Sequence, residues 1–324
     1  MLFGISACEF FYSSSDLKEE TETSFITTGY YDKEFVRAGI ENNTLFISGI
    51  SDSLSKKYIV MSVLNENGEE KTEKISDNSL EGFVKSTDIS DCETVSVQLY
   101  SNFEPYGEYE GFVTESIKFL KKDEKWCADV PVVYEKNKKQ YAQNKHLISA
   151  IAKAVDLTVR NEKIKTLSDE ICSGIKSDYE KFLKIHDYIC ENIYYDDDAF
   201  NEGDYSDISP INAIETGKTL CTGISNLAVS LLRVQGIDAV TVSGYALGIG
   251  EDDEWNGENS LEKEPNHTWV EAYIDGRWII SDITWDNKNK YESGQFIKDD
   301  NYSHIMFDAD LLSFSYTHKI INYF

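Results

Sequence analysis

The chain has 324 residues, enough for two domains, and a hydrophobic fraction of 41% that supports real cores. Its 58 acidic residues against 31 basic ones give a formal charge of −27. Nucleic acid and anionic lipid are bound by clustered Lys and Arg, so this balance excludes nucleic-acid binding.

At the start of the chain, Met1–Ala7 is a short apolar run, and Ile5-Ser6-Ala7-Cys8 resembles a bacterial lipobox. The stretch after Cys8 is polar and rich in Ser, Thr and Glu, as a tether would be. Residues 1–24 are therefore assigned as a lipoprotein leader and tether, with Cys8 as the lipidation site. A secretory signal has a basic start and a longer apolar core than this run, in which the first lysine is Lys18. No later stretch approaches the ~18 apolar residues of a membrane span. The expectation is an extracellular, cell-surface protein that touches the membrane through a lipid anchor at Cys8. Cys92, Cys127, Cys172 and Cys190 show no metal-type CxxC spacing, so no zinc or other metal and no cofactor is expected. Cys172 and Cys190 sit within helical patterns, where buried free thiols are the simplest reading, and the disulfide status of the four stays open.

Residues 25–135 carry a β pattern. Leu45–Ile50 is a short apolar run, and Tyr58–Leu64 ends in Asn65-Glu66-Asn67-Gly68, a turn sequence. Val95–Tyr100 alternates as a half-buried strand does; Phe112–Phe119 and Trp126–Val133 continue the series. Short strands at this spacing predict an antiparallel β-sandwich, immunoglobulin-like in type. No nucleophile–base pair stands out in it, so it serves as a spacer or as a ligand- or wall-binding module. The polar run Tyr134–Gln140 reads as the linker to a second domain over residues 136–324. There, helical spacing places Ile148, Ile151, Ala152 and Val155 on one face. A second helix, Asp178–Ile193, has Phe182, Ile185, Ile189 and Ile193 as its stripe. His186 and Asp187 fall within that helix and read as packed or surface residues.

Gly217–Gly223 is turn-like and runs into a helix whose apolar face is Ile224, Leu227, Ala228, Leu231 and Leu232, with Gly236 as its stop. Cys221 falls in the first turn, where unpaired backbone N–H groups and the helix dipole favour a thiolate. Gly223 beside it would leave room for substrate. Downstream, Asn266–Ile274 and Arg277–Trp285 read as two strands joined by Asp275-Gly276, a strong two-residue hairpin turn. With Ile274 opposite Arg277, Asp282 faces Trp269 and is a diagonal neighbour of His267. That pairing brings an acid to a base. The other face, with Val270, Ala272, Ile274, Ile279 and Ile283, is apolar.

Thr219–Gly223, Asn266-His267-Thr268-Trp269, Asp275–Trp278 and Asp282-Ile283-Thr284-Trp285-Asp286, in that order, resemble the transglutaminase-like superfamily. Glu191–Asp196 and Leu231–Ile237 add to the likeness, which runs from about Lys145 to the last residue and is nearest secreted bacterial members. Ile283 stands where a proline is commoner, and Thr222 and Ile224 depart from the usual neighbours of the cysteine. The resemblance implies an α+β fold: a papain-like transglutaminase core, a Cys helix packed on an antiparallel sheet, preceded here by the β-sandwich. It implies a thiol acyl-transfer enzyme acting on peptide or carboxamide bonds, with Cys221 as nucleophile, His267 as base and Asp282 as its orienter. The Cys221 N–H is the first oxyanion donor and Tyr194 or Tyr195 a second, while Trp269 and Trp285 wall the site. The partner would be a protein or peptide substrate, cell-wall peptide included. Water and an amine remain open as acceptors, so peptidase, amidase and cross-linking activities all stand. The rival is a non-catalytic wall or peptide binding module on the same fold. The acidic run Glu251–Glu258 reads as a solvated loop, since a calcium loop begun at Asp252 would put Lys263 where its last carboxylate belongs.

Overall fold

The computed structural model describes residues 25–28, 35–50, 58–76, 83–102, 111–112, 117–151, 161–249, 254–258, 260–261 and 263–323. Cys8 with the whole leader, and Glu251–Asp253 of the acidic loop, lie outside the described residues. Among the described residues no helix is long and apolar enough to cross a membrane.

The first part is built of strands: β1 (Phe25–Thr28), β2 (Phe35–Glu41), β3 (Thr44–Ile50), β4 (Tyr58–Asn65), β5 (Glu70–Ser76), β6 (Phe83–Asp88), β7 (Thr94–Asn102), β8 (Gly111–Phe112), β9 (Ile117–Lys122) and β10 (Lys125–Ala128). One sheet has the order β1-β2-β3-β6; the other has β10-β9-β7-β4-β5 with β8 on β7. All these pairings are antiparallel. Alternate residues of both sheets, Ala38, Ile40, Leu45 and Ile47 with Val63, Val97, Leu99 and Phe119, meet in one core. Asn42 and Asn43, both at positive φ, close the β2–β3 hairpin, since Asn tolerates that region. Asn43 also accepts a hydrogen bond from the Trp126 indole at 2.9 Å.

The run read as a linker is instead the start of a helix, α1 (Tyr134–Ile151). Its composition is polar like a linker's because the residues that anchor it carry polar groups themselves. Asn137 is fully buried, donates to the Ser315 hydroxyl at 2.9 Å and the His318 carbonyl at 2.7 Å, and accepts from the Ile320 amide at 2.8 Å. Tyr134 packs in the core of the two sheets, and Tyr141 donates to the Trp278 carbonyl at 2.8 Å. The side chains of Ile148, Ile151, Ala152 and Val155 lie outside the described residues.

The rest of the chain mixes helix and sheet. In order it contains α2 (Glu162–Ile171), α3 (Asp178–Asn192), β11 (Tyr194–Asp196), α4 (Asp197–Glu202), α5 (Pro210–Thr216), β12 (Lys218–Thr219) and α6 (Cys221–Val234). There follow β13 (Asp238–Ala246), β14 (His267–Ile274), β15 (Arg277–Ser281), α7 (Ile283–Asp286), β16 (Lys290–Glu292), β17 (Gln295–Ile297), α8 (Leu311–Phe314) and β18 (His318–Tyr323). One antiparallel sheet has the order β15-β14-β13-β18; a small one has β12-β11-β16-β17. The α6 face predicted from spacing is buried against Val270, Ala272, Ile274 and Ile279 of the larger sheet, and against Phe182, Ile185 and Ile189 of α3. Each buried Leu, Ile, Val or Phe among them stabilises the packing by about 1.5–3 kcal/mol. The opposite face of the sheet is covered as well: Val242, Trp269, Ile280 and Ile320 pack with Phe314 of α8.

The hairpin register is the predicted one, with Ile274 opposite Arg277 and Val270 opposite Ser281. The return strand stops at Ser281, however, short of the expected Trp285. Asp282 ends it by capping α7, its carboxylate accepting from the Trp285 amide at 3.2 Å.

Candidate active site

Three elements deliver three side chains to one place. Cys221 is the first residue of α6; Leu220 before it provides no side-chain cap, so the amides of the first turn face the thiol without a competing side-chain acceptor. His267 opens β14 opposite Gly244 of β13, and Asn266 fixes that entry by bridging the Ala246 amide at 2.7 Å and its carbonyl at 3.0 Å. Asp282 sits where β15 turns into α7, and its Oδ2 lies 2.5 Å from Nε2 of His267. With Nε2 on the carboxylate, Nδ1 is the ring nitrogen left to hydrogen-bond the Cys221 sulfur. His267 and Asp282 are buried, and Cys221 is half-buried.

The charges follow from this geometry. Burial opposes ionisation of Cys221, but hydrogen bonds from His267 and Thr268 outweigh it and lower the thiol below its ordinary range. Burial likewise opposes charging His267, yet the Asp282 carboxylate and the Cys221 sulfur push it up to about 10. Burial alone would raise Asp282; the two histidines around it hold it well below the usual carboxylate range. These shifts run in the direction that favours a thiolate–imidazolium pair backed by a carboxylate. The Thr268 hydroxyl donates to the sulfur at 3.6 Å and lies 2.8 Å from the Thr222 hydroxyl.

The second histidine at Asp282 went unseen in the sequence. His318 of β18 places Nε2 3.1 Å from Asp282 Oδ2, while its Nδ1 lies 2.8 Å from the Thr317 hydroxyl. Burial keeps its pKa below the ordinary value, so it is neutral and donates its proton to Asp282 from Nε2. Phe314 stacks on it at 4.0 Å between ring centroids. Nothing local marks His318: it lies 36 residues past Asp282 and reaches it because β18 pairs with β13.

The remaining expectations divide. Tyr195 pairs with Thr219 of β12, two residues before Cys221, and burial with the charges of Cys221, Asp197 and Asp282 raises its pKa. Tyr194, the residue before it on the strand, packs instead on Phe296 at 5.0 Å between ring centroids. Trp285 lies 6.2 Å from the His267 ring and walls the site. Trp269 is fully buried beneath His267, against Phe314, and backs the site from inside the core. Gly223 has a packing reason of its own: a Cβ there would sit 1.9 Å from the Thr219 hydroxyl oxygen.

Kyphoscoliosis peptidase of Mus musculus is 34% identical over 134 residues, 41% of this chain and 20% of that protein. The Homo sapiens form is 31% identical over 135 residues, 40% of this chain and 20% of that protein. The match therefore spans about a fifth of these relatives' length. Among solved structures, a proposed cysteine protease of Cytophaga hutchinsonii aligns with 93% of this chain and 82% of its own, at 14% identity and a TM-score of 0.30. A proposed protease of Parabacteroides distasonis aligns with 79% of this chain and 65% of its own, at 10% identity and a TM-score of 0.27. Residues 165–283 match the profile of the Transglutaminase-like superfamily, a span that takes in Cys221, His267 and Asp282, so the mixed helix and sheet fold is built on a transglutaminase-like core.

Proposed function

We propose that the protein is a thiol acyl-transfer enzyme that cleaves or transfers at peptide or carboxamide bonds through Cys221, His267 and Asp282. The observation that carries this is the buried His267–Asp282 contact at 2.5 Å, set against a cysteine at a helix start whose pKa is lowered. The Cys221 thiolate attacks the substrate carbonyl carbon, and the carbonyl electrons move to oxygen. The Cys221 amide at the helix start, with the Tyr195 hydroxyl as second donor, holds that oxyanion. As the tetrahedral adduct collapses, His267 gives its Nδ1 proton to the leaving amine, and a thioester remains. His267, now neutral, takes a proton from the acceptor, and the second adduct releases the acyl group and restores the thiolate. Asp282 keeps the ring in the tautomer that presents Nδ1 to sulfur throughout.

The name of kyphoscoliosis peptidase supports peptide bonds as substrate class. Water and an amine both suit this machinery as acceptor. We further read the two sheets before α1 as a β-sandwich domain and Cys8 as a surface anchor; the shared core of the sheets supports the first, the lipobox-like sequence the second. The test is to trap the thioester. A peptide p-nitrophenyl ester should leave an acyl mass on Cys221 of the wild type and none on Cys221→Ala. An unlabelled wild-type Cys221 would overturn the proposal.

A further inference from the structure

We propose that His186, Asp187 and His304 form a binding site for a divalent transition-metal ion, separate from the thiol site and independent of its chemistry. Each of the three offers one ligand atom, and these atoms all lie within 4.8 Å of one another; His186 Nδ1 and His304 Nε2 both approach Asp187 Oδ1. Asp187 Oδ1 is 3.3 Å from the His186 nitrogen and 2.7 Å from that of His304. Ligand atoms of a tetrahedral zinc site are ~3.3 Å apart, so the first spacing already fits and the second opens by about half an ångström.

The surroundings are those of a built site. A histidine that ligates a metal commonly gives its other N–H to a carboxylate. His186, fully buried on α3, has Nε2 3.2 Å from Asp286 Oδ2. Asp286 is itself fixed: it accepts from the Met306 amide at 3.1 and 3.2 Å and from the Ser303 hydroxyl. Those bonds pin the loop that carries His304, so one carboxylate orients a ligand from α3 and another from the loop after β17. Lys184 takes the other Asp187 oxygen, Oδ2, at 3.6 Å, which leaves Oδ1 to the histidines. Asp187 and His304 keep 14% and 21% of their side-chain surface exposed, enough for an ion to enter and for water to complete its shell. Such an ion would cross-link α3 to the loop before α8.

The test uses the full chain, treated with chelator and carrying Cys221→Ala so that no thiolate competes for metal. Cobalt(II) and zinc(II) alone are titrated into it at neutral pH, and into the same chain with His304→Ala or with Asp187→Asn; both positions are partly exposed, and circular dichroism checks that each variant is folded. One equivalent should bind, with a tetrahedral cobalt absorption band and a raised melting temperature, and each substitution should weaken binding by about a hundredfold or more. Absence of binding to the parent chain would overturn the proposal. So would unchanged stoichiometry and affinity in both variants, which would place the ion elsewhere, for instance at His267, Asp282 and His318.

Discussion

Asp282 takes three donors on two oxygens: His267 and His318 on Oδ2 and the Trp285 amide on Oδ1. Its orientation is therefore set by two strands and a helix end at once. An amide in its place would present N–H groups to at least one of these donors. Asp282→Asn should fold but lose turnover by roughly 10³- to 10⁴-fold, as wrong-tautomer variants of such triads do; steady-state rates with the peptide ester check it. The pKa shifts also fix a pH signature. His267 is raised to about 10, so its stabilising charge is fully present below its ordinary value of about 6.5 and is lost as pH rises through about 10. Asp282, held low, contributes above its ordinary ~3.9 and loses that contribution as pH falls. Urea unfolding should show the wild type losing stability relative to His267→Gln between pH 7 and about pH 10.5, and a constant difference would contradict the ion pair. Cys221, His267 and Asp282 were legible because each is announced locally, by a helix start or by a hairpin whose Asp-Gly turn fixes the register. His318 was not, because its role exists only once the last strand has paired.

At the scale of elements, the junction of β12 with α6 is the tightest point near the sulfur. A Cβ on Gly223 would meet Thr219 at 1.9 Å from its Oγ1, 2.8 Å from its Cγ2 and 2.9 Å from its Cβ. A branched side chain cannot swing clear of that, so Gly223→Ala should cost about 1–3 kcal/mol and slow Cys221 alkylation by displacing the helix start. Thr219→Ala removes the two outer atoms, and the double variant should recover most of the loss. A double-mutant cycle on unfolding free energies measures the coupling, and strict additivity would contradict the contact. The early end of β15 has a related origin. Alternation alone predicts a strand to Trp285, but the Asp282 carboxylate finds a helix amide to cap, a local competition that apolar periodicity does not reveal.

On the scale of the molecule, the boundary between the β part and the thiol core is bridged by a helix that buries Tyr134 and Asn137. Polar residues at 134–140 look like a linker, yet Asn137 satisfies the Ser315 hydroxyl, the His318 carbonyl and the Ile320 amide inside the fold. Sequence composition cannot separate a solvated Asn from one that replaces a missing backbone partner across 181 residues. Asn137→Ala strands those groups and should destabilise the chain by about 2–3 kcal/mol in urea unfolding. It should also loosen His318 and so raise the pKa of Cys221 alkylation. A chain begun at Lys145 lacks Asn137, Tyr134 and Tyr141 and should lose both cooperative unfolding and thiol reactivity; retention of both would contradict the part given to α1.

In the proposed pairing, Cys221 is a thiolate because His267 is its cation. The rate of iodoacetamide labelling at Cys221 against pH, compared between the wild type and His267→Ala, tests it most directly. The wild type should label through a midpoint well below the roughly 8.5 of a free thiol, and His267→Ala should move that midpoint up toward or past it. Coincident profiles near the free-thiol value would show that the two residues are neighbours without being a pair.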